Sequence, residues 1–158
     1  MSVTLVPMDD TEFSAFTERA VEEYAQGMVA SGEWSQAEAP HRSGTAFAQL
    51  LDQGRLTEGH QLWVLRDDQR RIGELWIARR HVGPKPIAFI LDIYIEPGER
   101  RQGHARQAML AAETWARQNG CEEMRLHVFG RNLPARGLYE QLGYEIASLT
   151  MAKPLPPD

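Results

Sequence analysis

The chain carries a single cysteine, Cys121, among 158 residues, so no intramolecular disulfide can close and no thiolate metal cluster can assemble. Its five histidines, at 41, 60, 81, 104 and 127, include no pair at metal-ligand spacing, which argues against a zinc site. No apolar run approaches the length of a membrane span, and the opening MSVTLVPMDD lacks a charged stretch leading into an apolar one. An excess of basic charge is also missing. The formal net charge of -5 disfavours a surface built to neutralise nucleic-acid phosphates. There is no Gly-Lys-Ser/Thr loop, no three-glycine dinucleotide fingerprint and no Gly-x-Ser-x-Gly elbow. These absences lead to the expectation of a cytoplasmic protein with no metal and no nucleic-acid or membrane partner. With 42% hydrophobic residues, the length suits one domain over 1–158, closing in a Pro-rich tail at 153–158.

What is present reads as a mixed α/β layer. Thr4, Leu5 and Val6 form a short β-like run, and Asp9, Asp10 and Thr11 offer capping oxygens to the helix that follows. Phe13, Phe16, Ala20, Tyr24 and Met28 recur at helical spacing and predict one buried face, ending near Gly32. Ser35 and Glu38 have capping-box spacing ahead of a second helix carrying Phe47, Leu50 and Leu51. Residues 61–65 and 71–78 read as a hairpin around Asp67 to Arg70, and 87–95 as a central strand apolar at almost every position. A helix from about Gly103 to Asn119, a strand through Met124, Leu126 and Val128, a short helix capped by Asn132 and a last strand at 144–151 complete the order.

The segment from Ile93 to Arg106 stands out chemically. A strand runs into a basic loop and then a helix, leaving backbone N–H groups without intrahelical partners at the positive end of the helix dipole. Gly103 permits close backbone approach, Ala105 is small, and Arg100 and Arg101 raise the local potential. That combination suits a phosphate group. On its own, Arg-x-x-Gly-x-Ala is a weak signal, equally compatible with two solvated arginines.

Two motifs together resemble the GNAT superfamily of N-acetyltransferases: Arg100-x-x-Gly103-x-Ala105 after a strand, and Asn132-x-x-Ala135-x-x-Leu138-Tyr139-Glu140-x-Leu142-Gly143-Tyr144 downstream. The resemblance spans nearly the whole chain. It implies the acyl-CoA N-acyltransferase fold, a mixed central sheet with a V-shaped splay flanked by about four helices. It further implies transfer of acetyl from acetyl-CoA to an amine of a small molecule or peptide, with no metal, by a monomer or homodimer. Backbone groups of Ile93, Tyr94 and Ile95 would line the pantetheine arm, with a strand N–H directed at the thioester oxygen. Amides from Arg101 through Gln102, Gly103, His104 and Ala105 to Arg106 would take the pyrophosphate, with Arg100 adding positive charge beside it. Asn132 would bond the arm or order the loop beside it.

Tyr139 is the expected general acid, protonating the departing thiolate. For the base, an amine of lysine-like pKa is neutral in only about 1 molecule in 2,500 at pH 7, so its proton must be removed. Asp92, the lone carboxylate of an apolar strand, and Glu74, in the neighbouring strand, are the two candidates, with a water chain as the other route. Trp34 is expected near the acceptor pocket, His127 in a structural or substrate-orienting role, and Cys121 as a small buried hydrophobe. An acyl-CoA sensor without turnover is the alternative reading, and Tyr139 argues for the enzyme.

Overall fold

The computed structural model describes residues 2–158. They form two compact units, one running to His127 and the other from Val128 to Asp158.

The larger unit is built on a five-stranded sheet in the order β1-β2-β3-β4-β5. Its strands are β1 (Val3–Pro7), β2 (His60–Asp67), β3 (Arg70–Val82), β4 (Lys85–Ile95) and β5 (Glu123–Leu126). The first four pair antiparallel, while β4 and β5 run parallel, joined through α3 (His104–Gln118). The loop expected at 81–86 is instead a two-residue turn, Gly83-Pro84, so β3 and β4 extend further than the apolar pattern alone indicated.

Successive strand residues face opposite sides. On one side Leu62, Val64 and Trp76 meet Phe16 and Ala20 of α1 (Asp10–Ala30) and Phe47 of α2 (Ala39–Leu50), all buried. On the other, Trp63 packs edge-on against Trp115 of α3, with ring centroids 5.1 Å apart. Tyr24, expected on the buried face of α1, is 41% exposed and uses its ring against Trp34 and Phe47. Ser35 and Glu38 do bond to each other, Glu38 N donating to Ser35 Oγ at 3.3 Å. They close a turn ahead of α2 rather than capping it, and Pro40 falls in the first turn of the helix, where a missing N–H costs nothing.

The smaller unit contains α4 (Leu133–Gln141), capped by Asn132, whose side chain accepts from Ala135 N at 3.4 Å. Residues 144–151, expected as a last strand, carry no strand in the structure, and Ile146, Leu149 and Met151 are exposed. Ile146 lies an odd number of residues from Leu149 and Met151, so these side chains do not share the single face that period-two burial requires. Val128 likewise lies outside β5.

Candidate active site

The central strand changes character halfway along. Register between β3 and β4 slips between Trp76 and Ile77, so Ile77 faces Ile90 while Trp76 faces Asp92, and Leu91 is the extra residue of a β-bulge. Pairing of β4 with β5 covers Ile87 to Ile90 and stops there. From Leu91 to Ile95 one edge of β4 is therefore without a strand partner among the described residues. Glu96 N donates to Ile72 O at 2.8 Å. By the alternation of an antiparallel ladder, Tyr94 bonds towards β3, and the N–H and C=O groups of Ile93 and Ile95 point to the open edge. Arg100 Nε donates to the Ile95 carbonyl at 2.9 Å. On the paired side β3 comes very close: a Cβ on Gly73 would collide with the Tyr94 carbonyl, which only a glycine avoids.

Beyond β4, a 3₁₀ turn at Pro97–Glu99 leads into a loop where Arg101 has φ +64° and Gly103 has φ +81°. Gly103 then opens α3 with no side chain hydrogen-bonded over the first turn and no acid in it. The first intrahelical bond is Gln107 N to Gly103 O, at 3.1 Å. The amides of His104, Ala105 and Arg106 therefore have no partner within the helix and can serve an anion. The His104 ring does not: it is buried, its two nitrogens make no hydrogen bond among the described residues, and Glu99 Oε2 lies 3.5 Å from Nε2. Glu99 is itself paired with Arg70 Nε at 3.0 Å, tying the loop to the start of β3.

The two candidate bases stand side by side on the α1 face, and both meet Arg19 of α1. Arg19 NH2 lies 3.0 Å from Glu74 Oε1 and 2.9 Å from Asp92 Oδ2, while NH1 reaches Glu23 Oε2 at 2.6 Å. Arg19 also lies over the Tyr94 ring, 3.9 Å from its centroid. Glu74 is enclosed, its side chain 3% exposed, and its second oxygen pairs with Arg71 NH2 at 2.8 Å. Asp92 is 24% exposed and meets Arg19 alone among described cations. Burial pushes the Asp92 carboxyl above its ordinary pKa; Arg19 pulls the other way, and Glu23 and Glu74 add to the rise. For Arg19, burial opposes the charge, but Asp92, Glu74 and Glu23 hold its pKa above the usual value.

Sequence reasoning singled out both carboxylates and missed the arginine joining them. Arg19 is 55 residues from Glu74 and 73 from Asp92, and a helix face carries no local mark of such a partner. Tyr139 lies on α4, half-buried, its ring 5.8 Å from that of Tyr144. Trp34 packs edge-on against Tyr24, with Arg42 over its ring. His127 is exposed just past the end of β5. Cys121, expected buried, is half-exposed, its N–H bonded to Ala116 O at 2.9 Å. Among the described residues, no group of three or more His, Cys, Asp or Glu is placed to hold a metal, and no helix is long and apolar enough to cross a membrane.

A family model described as the acetyltransferase (GNAT) family matches residues 20–144. The uncharacterised N-acetyltransferase YycN of Bacillus subtilis is 36% identical over 156 residues, 98% of this chain and 100% of its own. The crystal structure of YycN from Bacillus subtilis superposes with a TM-score of 0.93 at 34% identity, over 99% of this chain and 100% of that one. AAC(6')-Iy, solved with the bisubstrate analogue CoA-S-monomethyl-acetylneamine, shares the fold at TM-score 0.60 and 17% identity, over 99% and 100% of the two chains.

Proposed function

Because the chain belongs to the acetyltransferase (GNAT) family, we propose that it transfers the acetyl group of acetyl-CoA directly to an amine, through a tetrahedral intermediate. The observation that carries this reading is the juxtaposition on one continuous segment of an open β4 edge and an uncapped, acid-free start of α3. The N–H groups of Ile93 and Ile95 and the C=O of Ile93 match the amide groups of a pantetheine arm, added as a strand would be, while Arg100 Nε holds the Ile95 C=O. The amides of His104 to Arg106, with Arg100 and Arg101 beside them, match a diphosphate. A strand N–H aimed at the thioester oxygen would stabilise the negative charge that develops on attack, a donor fixed before the reaction begins.

Of the two carboxylates, Asp92 is the better base. Glu74 holds a cation on each oxygen and is shut from solvent, whereas Asp92 keeps one oxygen clear of Arg19 and its pKa is raised towards that of a useful proton acceptor. It takes one proton of the acceptor ammonium, the freed amine attacks the thioester carbon, and collapse of the intermediate breaks the C–S bond, expelling the thiolate while nitrogen gives up a second proton that replaces the one the thiolate takes. The role of Tyr139 as the acid that protonates this thiolate rests on the signature at 132–144. The acceptor is a cationic amine of a small molecule or peptide, drawn by an acid-leaning chain of net charge -5.

The test is incubation with acetyl-CoA and a panel of amines, following release of free thiol. Tyr139→Phe is expected to keep coenzyme A affinity while kcat falls on the order of 100-fold. Unchanged turnover removes the acid role, and absence of turnover across the panel removes the enzyme.

A further inference from the structure

We infer that Arg19 is a positioning residue for acceptor activation, a guanidinium anchored on Glu74 and Tyr94 that aims the Asp92 carboxylate and keeps it ionised. The inference rests on the proposed role of Asp92 as base and adds the group that makes this role available.

The geometry of the clamp is specific. Arg19 Nε donates to Glu74 Oε1 at 3.1 Å and NH2 donates to Asp92 Oδ2 at 2.9 Å, so one planar guanidinium spans β3 and β4. NH1 donates to Glu23 Oε2 at 2.6 Å, one turn along the same helix. The ring of Tyr94, 3.9 Å from the guanidinium carbon, supplies a flat platform, and the Phe16 ring lies 5.6 Å away. A long flexible side chain is thereby fixed by three carboxylates and a π-face, and its order is passed on to Asp92. A lysine ammonium is a compact point charge, able to restore the charge but not the planar fork.

The charges around Asp92 explain why the fork is needed. From α1 it faces Arg19 and Glu23; from β3, Glu74, whose other oxygen is held by Arg71. Arg71 in turn is shared with Glu96 and, at 4.0 Å, with Glu12. Tyr94 is the ring beside it on β4. Without Arg19, Asp92 stands partly buried beside two carboxylates with no cation of its own, and it binds a proton at pH values where the base must be free. The hydrogen bonds of Arg19 go to Glu74, Glu23 and Asp92, not to the open edge of β4 or the α3 amides.

Arg19→Gln and Arg19→Lys, compared with the wild type, separate this role from simple stabilisation. The readouts are the pH profile of kcat/KM for acetyl transfer, coenzyme A affinity by calorimetry, and the Asp92 carboxyl titration followed by carbon-13 NMR. Arg19→Gln is expected to move the acidic limb of the profile and the Asp92 titration to higher pH. Its rate at pH 6 then falls on the order of tenfold more than its rate at pH 9. Coenzyme A affinity stays within about twofold of the wild type, and Arg19→Lys, which also serves if the Gln variant does not fold, recovers part of both shifts. A uniform loss of rate with an unmoved Asp92 titration overturns the inference. A wild type that acetylates no amine refutes the proposed function instead, and the NMR titration still decides the role of Arg19.

Discussion

Helix α1 begins under the Asp9 carboxylate, which accepts from Glu12 N at 2.7 Å while Glu12 Oε1 accepts from Asp9 N at 2.9 Å. Helix α3 begins under Gly103, at φ +81° and with no side-chain hydrogen bond capping its first turn. The third helical residue is Glu12 in one and Arg106 in the other. In α1 the chain satisfies its own orphan amides and sets two acids, Asp10 and Glu12, against the positive end of the dipole. In α3 it supplies neither, and Arg100, Arg101 and Arg106 flank Gly103 in the chain. A helix start finished by its own residues serves folding alone; one left open and made more positive stores electrostatic energy that an anionic ligand releases. The difference lies in a handful of side chains on otherwise similar amphipathic helices.

Making α3 resemble α1 is the harshest way to break the contrast. Arg106→Glu, at an exposed position, places in α3 the acid that α1 carries at the same point. Coenzyme A affinity is expected to fall on the order of 100-fold in calorimetry, because the new carboxylate competes for the amides and repels the diphosphate. Thermal stability should hold or rise. The converse change, Asp9→Ala in α1, is expected to lower stability by about 1 kcal/mol in urea unfolding and leave coenzyme A affinity unaltered. If affinity also drops, the two helix starts are not independent. The smallest effect concerns His104, buried at the start of α3 with unbonded ring nitrogens. His104→Leu should gain up to about 1 kcal/mol of stability by removing polar atoms that lack partners, with affinity unchanged. A loss of affinity there assigns the imidazole itself to the ligand.

Both helix starts were legible in the sequence, for opposite reasons. Asp9, Asp10 and Thr11 offered capping oxygens for α1, and Gly103 opened α3 beside two arginines. The apolar run of β4 marked the central strand, and the lone carboxylate in it marked Asp92. The resemblance implied a bulge in the central strand, but its place at Leu91 was not legible, since it appears only as a slip in pairing with β3. Nor was Arg19, because an arginine on an amphipathic helix reads as solvated until the fold brings it to residues 55 and 73 positions away. The order of burial misled at 144–151, where scattered apolar residues fit neither face of a strand.

The most direct measurement is a calorimetric titration of the wild-type protein with coenzyme A and, separately, with pantetheine, which has the same arm but no diphosphate. If the open start of α3 takes the diphosphate, coenzyme A binds on the order of 100-fold more tightly than pantetheine, and the gap narrows as salt is raised. Equal affinity for the two, or no heat with either, contradicts the account.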